Sequence, residues 1–157
     1  MSTDYIMRLV DQIAAALAGI IMKQSGGQYA EAREDLDEKC VETIGMHLSD
    51  VTRLAPEAVA ELLAGAGALR HSRSVLLAEL LLLDASLGDA LGDNSRASLD
   101  YLHAFCLLSD SLDALEPHDQ AVYRDKADSL AIRLRELPSS SYIEQKLHQY
   151  ELAAAAR

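Results

Sequence analysis

The chain contains few aromatic and few β-branched residues. Its 157 residues include one Phe and no Trp, and aromatic residues make up 4% of the chain. Val, Ile and Thr together account for 16 residues, whereas Leu and Ala account for 52. Because branched and aromatic side chains favour strands while Leu and Ala favour helices, this composition argues against a β-sheet. No stretch alternates apolar and polar residues, so the sequence predicts an all-α fold.

Cysteine is also scarce, and no segment has the character of a targeting or membrane-spanning sequence. Cys40 and Cys106 lie within helical patterns and form neither a CxxC motif nor a disulfide framework. We interpret them as small buried residues in a reducing compartment. Asp4 and Asp11 interrupt the region where a signal peptide has a basic segment and an apolar core. No apolar stretch approaches the roughly 20 residues that cross a bilayer. These absences predict a cytoplasmic protein without a membrane partner.

Basic residues are outnumbered, since 14 Lys and Arg accompany 25 Asp and Glu for a net charge of −11. Nucleic-acid binding needs a basic face, so this balance argues against nucleic acid as a partner. The imbalance is concentrated in residues 84–120, which contain eight acids and one base. That segment is either a solvated acidic surface or an acidic groove that receives a basic peptide.

The most specific motif is Gly92-x4-Ala97-x3-Tyr101-x2-Ala104. The glycine permits a turn between two helices. The two alanines allow the second helix to lie close to the first. Tyr101 lies on the same face one turn after Ala97, where it fills the gap between the helices. This order of small and aromatic residues predicts the second half of a tetratricopeptide-type helical hairpin, and hence a binding or scaffolding surface.

Helical periodicity and helix-breaking residues divide the rest of the chain. An apolar stripe from Ile6 to Ile21 predicts a first helix over about residues 4–23. Short helical turns are predicted within residues 46–68, the second of them beginning at Pro56. A capping-box pattern from Ser141 to Glu144 predicts the start of the last helix. The remaining helices are expected over about residues 28–44, 72–91, 94–115 and 118–137.

These elements predict a single domain over residues 1–157. It consists of a first hairpin (1–45), an irregular part (46–68), a second hairpin (69–116) and C-terminal helices (117–157). Residues 46–68 stand where a middle hairpin is expected, and they form either a degenerate repeat or a loop. The expected architecture is a set of antiparallel helical hairpins stacked as a short, tetratricopeptide-like (TPR-like), right-handed α–α superhelix.

A weaker copy of the motif occurs earlier in the chain. Gly27 and Ala32 repeat the spacing of the first two motif positions, but Lys39 replaces the final alanine. The two motif glycines are separated by nearly twice the usual period of about 34 residues. Upstream of the motif, Asp84 and Gly88 depart from the apolar and aromatic residues that a tetratricopeptide pattern contains.

The chain also resembles a small bacterial family of tetratricopeptide-like proteins whose function is not assigned. The resemblance covers about residues 3–115. It rests on Asp4-Tyr5-Ile6-Met7-Arg8, Tyr29-x2-Ala32, Ile44-Gly45-Met46 and the long helix that leads to Gly92. It implies a helical-repeat fold and supplies no catalytic residues.

Candidate catalytic and metal-binding residues are few. Asp100, His103 and Cys106 recur at intervals of three residues and include metal-ligand types. Cys106 adjoins Phe105 in a helix expected to pack closely, however, and no second cluster completes four ligands. We therefore predict helix packing here, with an exposed or capped His103, and no metal or cofactor. No nucleophile-elbow, zinc-protease, phosphate-loop or dinucleotide motif occurs, so the sequence predicts no enzyme.

The favoured hypothesis is a non-enzymatic adaptor that binds a protein or peptide. A more specific version of this hypothesis is that the partner is a basic peptide. Its candidate contact residues are Asp84, Asp100, Tyr101 and His103, taken as exposed groups near the motif. The alternative is a homodimeric structural protein that hides the apolar stripes of its first and last helices across a two-fold axis. A third hypothesis, an enzyme built in the bundle core, requires converging polar residues that the apolar stripes lack.

Overall fold

The computed structural model describes residues 3–138 and 140–156, except for the side chains of residues 3–10, 12, 13 and 16. Within these ranges the chain forms eight α-helices and no strand, so the predicted all-α class is confirmed. The helices are α1 (Thr3–Ser25), α2 (Tyr29–Ile44), α3 (Leu48–Arg53), α4 (Pro56–Ala64), α5 (Arg70–Leu91), α6 (Asn94–Ser111), α7 (Pro117–Arg135) and α8 (Ser141–Ala155). Short 3-10 turns follow α4 and α6, at Gly67–Leu69 and Leu112–Ala114.

Several helix ends lie where the sequence predicts them. Gly45 follows α2 with φ 90° and Gly92 follows α5 with φ 79°. Both angles are in the left-handed region, which residues with a Cβ rarely adopt. Pro56 and Pro117 occupy the first turns of α4 and α7, where a missing N–H removes no helical hydrogen bond. Glycine and proline therefore mark these boundaries for local reasons that are visible in the sequence.

Several helix ends differ by a few residues from the predicted ones, and two of these differences have a visible local cause. Ser140, rather than Ser141, caps α8, because its Oγ accepts a hydrogen bond from the backbone N–H of Ile143 at 3.2 Å. The helix expected to run to Leu115 ends at Ser111, and its last turn tightens into a 3-10 turn. Both differences shift a boundary and leave the order of the helices unchanged.

Helix α5 lies at the centre of the core, as its apolar composition predicts. Its most extensive interface is with α6, and it also contacts α1, α2 and α4. Four leucines of α5 are completely buried: Leu77, Leu80, Leu81 and Leu87. Phe105 of α6 is 1% exposed. Burying one large apolar side chain contributes about 1.5–3 kcal/mol. The contact between α5 and α6 therefore dominates the packing of the domain.

The other helices surround this central pair. Helix α1 packs against α2 and α5, α2 packs against α5, and α6 packs against α7 and α8. The two short helices in residues 46–68 lie against the same framework, with α3 touching α2 and α6, and α4 touching α5 and α6. The TPR-like superhelix stays a prediction.

Much of the predicted apolar stripe of α1, together with Tyr5 and Arg8, falls on side chains outside the described part of the chain. Of the described members, Leu17 and Ile20 are buried, whereas Ile21 is 47% exposed. None of the helices in the described residues has the length and apolar character needed to span a bilayer.

Candidate functional site

The four residues predicted to contact a partner lie inside the protein. Asp84 and Asp100 are 0% exposed, His103 is 2% exposed and Tyr101 is 9% exposed. The prediction that they are exposed is therefore wrong. The physical reason is that the faces of α5 and α6 carrying these residues meet each other or neighbouring helices instead of facing solvent. Their role in partner binding stays a prediction, but Asp84 and Asp100 have no surface to offer a partner directly.

Asp84 is the centre of an ion-pair cluster that joins α2, α5 and α6. Its Oδ1 accepts a hydrogen bond from Arg33 Nε at 3.1 Å. Arg96 donates two more, from Nε to Oδ2 at 2.9 Å and from Nη2 to Oδ1 at 3.2 Å. Arg33 also lies 3.5 Å from Asp93 through its Nη1. A buried carboxylate is stable only when it is paired and hydrogen-bonded, and the two guanidinium groups meet that requirement.

Gly88 makes room for this cluster. A Cβ atom on Gly88 would lie 3.2 Å from Nη2 of Arg33 and 3.3 Å from the backbone oxygen of Asp93. A larger side chain would therefore push Arg33 away from Asp84. One contact thus explains both departures from the tetratricopeptide pattern. The side chain of Arg33 lies against α5, where it passes Gly88 and pairs with Asp84.

Replacing Gly88 by Leu is expected to lower the free energy of unfolding by about 1–3 kcal/mol, the usual cost of overpacking. Ala90→Leu is the matched control, because Ala90 is exposed on the same helix and a surface change there should stay within about 0.5 kcal/mol. Urea unfolding followed by far-UV circular dichroism measures both. Equal effects of the two substitutions would contradict the role given to Gly88.

Asp100 lies beside Asp84 but is in a different protonation state. As a carboxylate, Asp100 would have no hydrogen-bond donor near either oxygen. Burial and the neighbouring Asp84 carboxylate raise the pKa of Asp100, so it keeps its proton at neutral pH and donates it to Asp84. Burial acts to raise the pKa of Asp84 as well, but Asp100, Arg33 and Arg96 outweigh it and lower that pKa. The pair therefore shares one proton.

The sequence does not predict the two arginines that complete this cluster. The apolar stripes predict a core almost free of converging polar groups, whereas Arg33, Asp84, Arg96 and Asp100 converge there. Arg96 and Asp100 are four residues apart on α6, which is the one local signal for the arrangement. Although paired carboxyl groups can perform acid–base chemistry, both of these are fully buried. Solutes do not reach them in this structure, so the cluster acts as a structural tie.

Tyr101 joins three helices near the surface. Its hydroxyl donates a hydrogen bond to Oδ2 of Asp89 on α5 at 2.6 Å. The guanidinium of Arg133 on α7 lies 4.3 Å from the centre of the tyrosine ring and 3.6 Å from Asp89. Burial and the bond to Asp89 raise the pKa of Tyr101 to about 12, so the phenol stays protonated and continues to donate. Tyr101 therefore fills the gap between helices, as the motif predicts.

His103 fastens α6 to the end of α3. Its Nε2 lies 2.7 Å from the backbone oxygen of Leu54, and its Nδ1 lies 2.9 Å from that of Leu99. Both ring nitrogens thus face carbonyl oxygens, which leaves neither directed at a metal. In the described part of the chain, no group of three or more His, Cys, Asp or Glu side chains is placed to hold a metal ion.

The acidity of residues 84–120 is largely balanced within the fold. Four of the eight acids, Asp84, Asp89, Asp93 and Asp110, form ion pairs with arginines from α2, α5, α6 or α7. Two more, Asp100 and Asp119, are buried. Much of the charge of this segment is therefore buried or paired, and the acidic groove stays a prediction. Asp113 is exposed and lies just after α6, at the edge of a cavity.

That cavity, between α6 and α8, has a volume of about 230 Å³. Its floor is formed by Phe105 and Tyr150, whose rings meet edge to face with centroids 5.1 Å apart. The walls and rim are formed by Cys106, Ser109, Asp110, Asp113, Lys146, Gln149 and Ala153. Burial raises the pKa of the Cys106 thiol to about 11, so the thiol is not a reactive nucleophile at neutral pH.

A second, more open groove runs between α5 and α7. Its volume is about 320 Å³, and Leu82 and Leu130 form its apolar part. Asp125, Lys126 and Ser129 form its polar edge, where Lys126 pairs with Glu79 of α5. The groove thus combines apolar surface with a few polar groups, as ligand-binding surfaces commonly do.

Comparison of the chain with protein-family models, with curated proteins and with solved structures finds no match. The site must therefore be interpreted from its own geometry.

Proposed function

We propose that this protein is a non-enzymatic adaptor whose stacked, tetratricopeptide-like hairpins bind another protein or a peptide. The observation that carries this proposal is the geometry of the hairpin formed by α5 and α6. Gly92 reverses the chain in the left-handed conformation, Ala97 and Ala104 are buried against α5, and Tyr101 fills the space between them. This arrangement of small and aromatic residues supports a tetratricopeptide-like hairpin.

The order of helix neighbours supports the same proposal. In stacked hairpins the first helix of one unit touches its own partner and the first helix of the next unit. Helix α1 touches both α2 and α5, and α6 touches both α5 and α7. Helices α1, α5 and α7 are the first helices of the three hairpins in this arrangement. In such a stack the first helices line a common face, and the groove between α5 and α7 would belong to it.

This groove is the proposed site for the partner. Leu82 and Leu130 offer apolar surface to an extended or helical peptide, while Asp125, Lys126 and Ser129 offer polar contacts that fix its orientation. An exposed site on rigid helices suits an adaptor, because binding then needs no rearrangement of the core.

Capture from a cell lysate tests the adaptor, with Ser129→Arg as the variant that fills the groove. Ser129 is exposed, so the substitution leaves the core intact and is expected to reduce capture of a specific partner at least tenfold. Gln145→Arg, which places the same side chain at an exposed position on α8, should capture the partner as the unchanged protein does. A partner retained equally by both variants would contradict the groove as the site.

Self-association is the second candidate, because α1 exposes an apolar face. Ala14, Ala15 and Ala18 are exposed, and so are Ile21 and Met22, the latter by 75%. Contiguous apolar surface of this kind marks interaction sites more often than chance. Light scattering on the purified protein distinguishes the two candidates. A dimer mass with no specific partner in the capture experiment would favour self-association over the adaptor.

A further inference from the structure

Helix α8 is anchored by few buried side chains. Two of its fifteen residues, Leu147 and Tyr150, are buried, whereas twelve of the 22 residues of α5 are. Leu152 of α8 is 58% exposed. Because a protein helix gains most of its stability from packing an apolar face against its neighbours, α8 is held less firmly than the central helix.

Open spaces border α8 on two sides. The cavity of about 230 Å³ lies between α8 and α6, and a groove of about 300 Å³ lies between α8 and α7, beside Ala131 and Ala154. Atoms that line a void have no packing partners on that side and lose the corresponding dispersion energy. Helix α8 therefore gains less from packing than a helix in a filled core does.

Polar contacts that join α8 to its neighbours lie at the surface. Oε1 of Glu57 on α4 lies 2.6 Å from Nζ of Lys146 and accepts a hydrogen bond from the hydroxyl of Tyr142 at 2.7 Å. The side chain of Glu57 is 53% exposed. Arg135 of α7 pairs with Glu151, and both side chains are about half exposed. Solvent competes for such contacts, so each contributes little to holding α8 in place.

The surface beneath α8 is apolar and belongs to helices with anchors of their own. The rings of Tyr150 and Phe105 meet edge to face with centroids 5.1 Å apart, and Phe105 is 1% exposed. Ala131 of α7, which lines the second groove together with Tyr150, is 2% exposed. Helix α6 is also held by its interface with α5 and by the Asp84 cluster, and α7 packs against α6. Loss of α8 would therefore uncover Phe105 and Ala131 without removing these contacts.

From these observations we propose that α8 is a lid that opens as a unit while α5, α6 and α7 stay folded. Segments with little apolar burial and low packing are the ones that open locally in native proteins. The open state presents an apolar face of α6 and α7, around Phe105 and Ala131, that the closed state covers. This face lies outside the groove between α5 and α7, so the lid is a conformational device that goes beyond the proposed adaptor surface.

Native-state hydrogen exchange of the full-length protein, followed residue by residue by NMR, tests the lid. Amides 146–151 of α8 should be about a hundredfold less protected than amides 77–87 of α5, because they exchange through opening of the lid and not through global unfolding. Amides in the middle of α6 and α7 should be protected as those of α5 are. Low concentrations of urea should speed exchange in α5 far more than in α8, since opening one helix exposes less surface than unfolding the domain.

A core substitution separates the lid from the rest of the fold. Gly88→Leu, which overpacks the contact between α2, α5 and α6, should lower the protection of the α5 amides about fivefold or more. It should leave the protection of α8 within about twofold of the wild-type value, because opening of the lid does not involve Gly88. Ala90→Leu, at an exposed position on the same helix, should change neither by more than about twofold.

Four outcomes would each overturn the proposal. The first is equal protection of α8 and α5, and the second is a loss of protection in both helices on Gly88→Leu. The third is exchange of α7 together with α8. The fourth is protection that rises steadily along α8 from its C-terminal end, because that gradient indicates fraying of the helix and not opening of a lid.

Discussion

Replacing Asp84 by Ala is expected to lower the free energy of unfolding by about 3–5 kcal/mol, the usual effect of removing one partner from a buried ion pair. The substitution leaves the guanidinium groups of Arg33 and Arg96 close together, without the carboxylate to which both donate. For a domain of this size the melting temperature should fall by roughly 6–20 °C. Chemical and thermal unfolding of the purified variant measure both quantities.

Asp93→Ala provides the matched control for this prediction. Asp93 also pairs with Arg33, but at 3.5 Å and with its side chain 45% exposed. Solvent replaces such a contact. Asp93 also caps α6, because its Oδ1 accepts a hydrogen bond from the backbone N–H of Arg96 at 3.4 Å, and loss of a cap costs about 0.5–2 kcal/mol. The total loss should therefore not exceed about 2 kcal/mol. Combining Asp84→Leu with Arg33→Met, Arg96→Met and Asp100→Leu should restore most of the stability, because an apolar replacement removes the three charges and the carboxyl group that donates to Asp84 together. Similar losses of unfolding free energy for Asp84→Ala and Asp93→Ala would show that the buried cluster contributes no more to stability than an exposed ion pair.

Asp100→Asn is expected to have the opposite effect from Asp84→Ala at neutral pH. The folded protein holds a proton on Asp100 that the unfolded chain releases above about pH 3.9. Stability falls with rising pH wherever the folded state binds more protons than the unfolded state. The wild-type protein therefore loses stability through Asp100 between about pH 4 and pH 7, by about 2–4 kcal/mol in total. Asparagine donates to Asp84 without titrating, so the variant escapes this loss.

The measurement is the difference in unfolding free energy between the Asp100→Asn variant and the wild-type protein, at several values of pH. Other groups titrate in both proteins and cancel in the difference. The difference should be near zero at pH 4 and should reach about 2–4 kcal/mol in favour of the variant at pH 7. Asp84→Asn, the corresponding change at the ionised member, should destabilise the protein at pH 7. A difference that does not vary with pH would mean that Asp100 is ionised in the folded state.

The same buried contacts connect the hairpins of the proposed adaptor. The Asp84 cluster joins α2 to α5 and α6, which in the proposed stack connects the first hairpin to the second. Tyr101 and Arg133 connect α5 and α6 to α7 in turn. A scaffold held by such ties presents its grooves in a fixed geometry, which reduces the entropy lost when a partner binds.

Local sequence patterns predict most of the secondary structure of this protein. Leucine and alanine predict helices, Gly92 predicts a turn between two of them and Pro56 predicts a helix start, and the structure has boundaries at both. The motif likewise predicts that Ala97 and Ala104 face the preceding helix, and both are buried. These properties depend on backbone conformation and on residues within a turn or two of each other, so local patterns contain the information.

The burial of the polar residues depends on tertiary contacts and could not be predicted from local sequence patterns. The sequence predicts that Asp84 and Asp100 are exposed, but both are buried. Helix packing brings Arg33, which is 51 residues away in the chain, to Asp84, and this pairing makes the burial of the carboxylate possible. The cavity between α6 and α8 likewise joins residues from two helices that are separated by α7. Burial, ion pairing and cavity shape depend on contacts between distant segments. A helical pattern gives the face on which a residue lies but not which helix covers that face.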